Sequence, residues 1–308
     1  IPSLLAIRRT LDFLGKSNKT GRPVLSLHLE PWLAAATVGY KTGESHLLTH
    51  PWSYEPKEGD QPERFNSQLL EKNANREYLL NKALHPQFLP LTVEDAVIEQ
   101  SWFRLALRDC CRTWRSAGYF AEDFYPEPIL LSGDNLGIFG RDGQLLLSVM
   151  DGLELQGITT YVFDEFKLSL ALGSLASLNP LLVVQVLKSG LLQNLGTALT
   201  VLSPKKAGQE VLAMELQHKF GAVMDRFSVL KSELKRFEIE ANDEQKIVLL
   251  PQAETDLGLG APGVGGSLNR INKKTGLIVD ARGRPIEMPK DDRARAAVIA
   301  NWLADLGA

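Results

Sequence analysis

Cysteine is nearly missing: the 308 residues hold two, Cys110 and Cys111, side by side. In a helical stretch adjacent side chains point about 100° apart, and a bond between them would be strained. No disulfide framework is therefore expected; both are read as reduced, Cys110 in the core and Cys111 flanking it, which fits a cytoplasmic chain. A basic excess is also missing, since 34 Lys and Arg stand against 37 Asp and Glu for a net charge of -3. A phosphate-backbone partner would need a local patch, and no basic run or stripe is present, so nucleic acid is not an expected partner. No stretch reaches the ~18 uninterrupted apolar residues of a membrane span, and no charged-then-apolar signal opens the chain. A start at Ile1 instead of Met is expected of a processed chain or a piece of a longer one.

What is there is ordinary globular usage, 44% hydrophobic and 23% charged, with length enough for a core split over two subdomains. Residues 1–20 give a short apolar helix (Leu4, Leu5, Ile7, Leu11) and the stretch "GKSNKTGRP", read as a connector from a preceding unit. Residues 21–205 read as an α/β domain. It opens with a meander of three strands, "PVLSLHL", "LAAATVGY" and "SHLLTH", and a polar loop over 51–75 follows. Thr92 and Asp95 form a T-x-x-D start for a helix whose stripe is Ala96, Phe103, Leu107, Cys110 and Trp114. "EPILLSGDNLG" reads as a buried strand entering a turn, then "GQLLLSVMDGL" as helix, "TTYVFD" as strand, and two helices, the second started by Asn179 and Pro180. Residues 206–308 read as a β-rich subdomain: alternating strands, the glycine-rich "GLGAPGVGGS", a hairpin "TGLIVDARGRPIEMP" around "ARGR", and a terminal helix.

Several clusters invite chemistry. "GLGAPGVGGS" could cradle phosphate, but it lacks the Lys-Ser/Thr ending of a P-loop and a following helix; a flexible or partner-ordered β-connection is the plainer reading. "SGDNLG", from Ser132 to Gly137, has the strand–turn–helix context that presents N–H groups to an anion, although it also reads as a plain βα turn, and the Asp134 carboxylate repels phosphate oxygens. His28, His46 and His50 fall in the meander; a zinc site would need the faces carrying them to coincide. No Ser/His/Asp or Cys/His triad can be argued. Asp151, Asp164 and Glu165 stand at element ends, where carboxylates hold a metal or activate water; for Asp164 a cap on the following helix is favoured.

Taken in order, "YLLNKALHPQFLPLTVEDAVIEQSWFRLALR", the segment from "ILLSGDNLG" through "LASLNPLLVVQVL" to "LGTALTVLSP", and "TGLIVDARGRPIEMPKDDRARAAVIANWLADLG" resemble the glutamate mutase L (MutL-like) family, over most of residues 21–308. That family is similar to the actin, sugar kinase and heat-shock chaperone superfamily. The resemblance implies an actin-like (ribonuclease H-like) core and a nucleotide cleft. It also implies an ATPase or chaperone-like role beside adenosylcobalamin-dependent mutases, with ATP and magnesium as cofactors. The first phosphate turn of the superfamily, of D-x-G-x-T type, joins the first two meander strands. Here its Asp position falls at His28, its Gly near Glu30 and its Thr near Trp32, while Pro31 removes an amide donor. The second turn keeps Ser132 and Gly133 and has Asp134 in place of a glycine. The expectation is a degenerate site: no catalytic residue, no cofactor and no metal, a pseudo-ATPase working through protein contacts, with another unit of a longer protein or an assembly as partner. Trp32 is expected to fill the old cleft or to pack into the neighbouring core. The competing expectation is a divergent ATPase that uses "SGDN" and recruits Glu30 or Asp164 for magnesium.

Overall fold

The computed structural model describes residues 2–51, 78, 80–82, 84–121, 124–176, 178–271 and 276–307. The loop expected over 51–75 lies outside the described residues except for Pro51.

Alternating residues such as Leu25, Leu27 and Leu29 make β1 (Val24–Glu30), which pairs antiparallel with β2 (Leu33–Gly39); β2 pairs in turn with β3 (Ser45–Pro51). Helix α2 (Val93–Ser116) starts where the sequence places it, with the Thr92 hydroxyl accepting from the Asp95 N–H. It leads to β4 (Ile129–Ser132), a one-turn 3-10 helix (Asp134–Ile138), α3 (Asp142–Leu153) and β5 (Gly157–Phe163). Next come α4 (Leu168–Leu175), α5 (Pro180–Lys188) and β6 (Gln193–Thr200), with Asn179 capping α5 through the Leu182 N–H. The rest holds β7 (Glu210–His218), β8 (Val223–Leu230), β9 (Leu234–Phe237), β10 (Gln245–Pro251), β11 (Gly266–Leu268), β12 (Leu277–Asp280) and α6 (Asp292–Asp305).

The chain is of the mixed α/β kind, built on an eight-stranded sheet of order β3-β2-β1-β4-β5-β6-β12-β9 and a four-stranded antiparallel sheet of order β11-β10-β7-β8. Strands β1, β4 and β5 are mutually parallel, β6 runs against β5, and β12 runs with β6. One face of the large sheet buries Leu27, Leu131 and Ile278 with Phe103 and Leu107 of α2, Leu146 of α3 and Trp302 of α6. On the other face, Val24, Ala35 and Leu130 meet α1 (Pro2–Ser17), and Leu199, Leu277 and Val279 meet the small sheet through Val211, Met214 and Ile247. Both sheets therefore share one layered body.

Three expectations change. Residues 1–20 do more than connect: Leu4, Ile7 and Leu11 of α1 are buried against the meander. This helix also crosses α4 so closely that a Cβ on Gly173 would lie 1.7 Å from the Ala6 carbonyl oxygen, and the Thr10 hydroxyl donates to the Ser169 carbonyl at 2.6 Å. "TGLIVDARGRPIEMP" is no hairpin. Its apolar run becomes β12, covered on both faces as an interior strand requires, and β9 lies against it in the large sheet. Residues 206–308 thus contribute to both sheets. Cys111, read as flanking the core, is fully buried beside Cys110, and burial pushes its thiol up to about 12.

Candidate functional site

The sheet register decides which sequence candidates meet. Lateral neighbours in a sheet share a face, and the parallel pairing of β1 with β4 sets His28 beside Ser132. Their Nδ1 and Oγ share a 2.9 Å hydrogen bond. On the other side of the imidazole, Nε2 lies 3.0 Å from Oε1 of Glu30, two residues on and on the same face. Serine, imidazole and carboxylate thus form one string, a combination the sequence alone did not suggest. Ser132 is 1% exposed and His28 5%, so the hydroxyl faces the imidazole in the interior, and the string links the ends of β1 and β4.

Lys167 completes the cluster. It follows β5 with φ +51°, a left-handed conformation that costs a non-glycine residue about 1 kcal/mol. Its Nζ lies 2.6 Å from Oδ1 of Asp134 and 3.4 Å from Oε1 of Glu30. The hydrogen bond with His28, helped by the charge of Lys167, holds the Glu30 carboxyl at about 2, against the upward push of burial. Sequence reasoning passed over Lys167 because nothing local marks it; its reach to β1 and to the turn after β4 is set by the tertiary fold. Gly133, between Ser132 and Asp134, has φ +117°, and a Cβ there would lie 2.2 Å from the Leu29 carbonyl oxygen. The chain itself, packed against β1, demands glycine at this point.

No protein-family model matches the chain, and no curated protein matches it.

The remaining candidates separate. Asp164 is 1% exposed, and its two oxygens accept from the Leu168 and Ser169 N–H groups at 2.7 and 2.8 Å; it caps α4. Trp32 neither fills a cleft nor enters the core. Glu30 and Leu33 form the last pair of the β1–β2 hairpin, which leaves Pro31 and Trp32 as its two-residue tip. Pro31 turns inward and Trp32 is 59% exposed. Phe166 and Leu191, at the same end of the sheet, are 63% and 49% exposed.

A zinc site uniting His28 with His46 or His50 is ruled out by register. His28 pairs with Ala35, which pairs with Thr49, whereas His50 pairs with Ala34 and thence Leu29. His46 and His50 therefore lie on the opposite face from His28, and the His46 ring packs against Tyr40 and Tyr119. Among the described residues no group of three or more His, Cys, Asp or Glu is arranged to hold a metal ion, and no helix is long and apolar enough to cross a membrane. Asp151 is taken up by Arg282, 2.8 Å away. The glycine-rich segment is folded back on itself: the Gly263 N–H donates to the Thr255 carbonyl, and the Gly258 N–H to the Asp256 carboxylate, both at 2.8 Å.

Proposed function

We propose that the chain is a non-catalytic binding module of actin-like type, resembling the glutamate mutase L family, whose nucleotide site has become a structural brace. One observation carries this reading: the amine of Lys167 is held by the Glu30 and Asp134 carboxylates at the joint where phosphate would have to sit. A phosphate there would displace one carboxylate and face the other at short range, and like charges in a partly buried setting repel strongly. The first turn lacks an amide at Pro31, and Gly133 is closed against Leu29. ATP with magnesium therefore does not suit these residues. The actin-like assignment is supported by the antiparallel meander feeding parallel β4 and β5, with the two turns that the resemblance marks emerging side by side at His28 and Ser132.

The working surface of the module is the same end of the sheet, where Trp32, Phe166 and Leu191 are exposed. Exposed aromatics of this kind are common anchors in protein interfaces. The partner is another protein, a further unit of a longer chain or a cytoplasmic assembly. Calorimetric titration with magnesium-ATP and magnesium-ADP tests the nucleotide half of the proposal. Binding indifferent to Ser132→Asp, or none, is expected; micromolar binding that Ser132→Asp abolishes would overturn it.

A further inference from the structure

At the opposite end of the sheet lies a cleft of about 690 Å³, within the usual range for small-molecule sites. Because β6 and β12 run against β1, β4 and β5, their C-terminal ends emerge on the side away from His28 and Ser132. The walls come from the chain after β6 (Ser203, Lys205, Lys206), the β8–β9 turn (Lys231), the stretch after β12 (Arg282, Arg284) and α6 (Trp302). These segments are tied together by backbone hydrogen bonds: Gly208 N–H to the Lys231 carbonyl, Ser232 N–H to Ala281 and Ala281 N–H to Glu233. The cleft is thus held open by its own frame.

Its lining is cationic. Five cations line it against one carboxylate, the exposed Glu287; Asp280 and Asp151 behind the lining offset the two arginines, so the net excess lies with the three lysines. Beneath them Asp280 accepts from Nε and Nη2 of Arg282 at 2.9 and 2.8 Å and from Nη2 of Arg284 at 3.0 Å, while the Arg282 guanidinium lies 4.5 Å from the Trp302 ring centre. Both arginines are therefore fixed in place. Yet Nη1 of Arg282 and Nε of Arg284 are buried without a hydrogen-bond partner among the described residues, although the Arg282 side chain is 1% exposed and that of Arg284 8%. Lys206 and Lys231 make no ion pair among the described residues, and Lys205 donates to the Glu210 backbone carbonyl. Buried donors left open are rare and costly, and fixed guanidinium groups rimmed by lysines suit the oxygens of a phosphate group.

We propose that this cleft binds a small molecule through a phosphate or pyrophosphate group, with Arg282 and Arg284 at its floor and Lys205, Lys206 and Lys231 at its rim. The apolar wall of Pro285, Met288 and Val298 takes the uncharged remainder of the ligand. The site is independent of the His28 brace, and its test separates the two. Inorganic pyrophosphate is titrated calorimetrically at low salt into the wild type, the Lys206→Ala/Lys231→Ala double variant, Arg284→Gln and Lys167→Met. Binding is expected to weaken at least about tenfold in the lysine double variant, whose changes are at the surface, and in Arg284→Gln, and to stay unchanged in Lys167→Met. No binding at about 1 mM pyrophosphate, or binding indifferent to both lysines, would overturn the proposal. Binding lost only in Lys167→Met would also overturn it, and would revive a phosphate site at the other end.

Discussion

His28 and Ser132 stand at the same rung of the β1–β4 ladder and share a 2.9 Å hydrogen bond. Through His28 the bond extends to Glu30, so the end of β1 is locked to the end of β4 by side chains as well as by backbone. The cost of that lock is a buried polar string, which stabilises only while every member is satisfied.

The string makes folding stability sensitive to acid. Glu30 drops from an ordinary 4.5 to about 2 in the fold. A depressed carboxyl contributes stability that is fully present above its unfolded value and is lost as pH falls from 4.5 through 2. Urea midpoints of wild type and Glu30→Gln should differ most at pH 6 to 7 and converge toward pH 2. An unchanged gap across that window would mean that the fold does not depress the Glu30 carboxyl.

Asp164→Ala should lower stability by about 1–2 kcal/mol, because it removes both acceptors at the start of α4. Asp164→Asn should recover part of that loss by keeping one acceptor. Chemical denaturation of the three proteins checks the order. An ATPase reading instead requires turnover that Asp164→Asn abolishes.

Asp151 faces Arg282 at 2.8 Å and Arg104 at 3.7 Å. Asp151→Ala leaves these buried cations undercompensated and should cost about 3–5 kcal/mol, read from the denaturant midpoint. A loss under about 1 kcal/mol would mean that Asp280 alone balances the cluster.

Neither thiol should react with an aromatic disulfide reagent in the native protein, since Cys110 and Cys111 are 1% and 0% exposed and only the thiolate attacks. In denaturant both should titrate. Rapid native labelling would show that α2 opens on its own.

Trp32→Ala should change stability by less than about 0.5 kcal/mol, as expected for a surface position, and should remove a fluorescence component that acrylamide quenches, since Trp32 is 59% exposed. If the exposed end is the docking face, Trp32→Glu should also abolish co-purification of the partner. Retention of the same partner would move the interface elsewhere.

The meander, the Thr92 start of α2 and the Asn179 start of α5 were legible because each rests on local chemistry: a two-residue period or a side chain reaching its own backbone. The capping role of Asp164 was legible for the same reason. β12 was not, since a four-residue apolar run carries no information about its neighbours, and these lie some 40 to 80 residues back, in β9 and β6. Trp32 was misread because the resemblance set it at a phosphate turn, where an indole would fill the cleft, whereas the length of the hairpin tip decided exposure. The string of Ser132, His28 and Glu30 needed the β1–β4 register, and the cationic cleft needed four separate segments brought to one sheet end.

The placement of β12 and β9 outside β6 has a practical consequence for dissecting the chain. A fragment ending near residue 205 would keep the meander and every helix through α5, yet it would bare the flank of β6 over Thr197–Thr200, where the backbone groups that now meet β12 would stand open to any passing strand. Such a piece would be expected to self-associate and not to behave as a smaller copy of the whole.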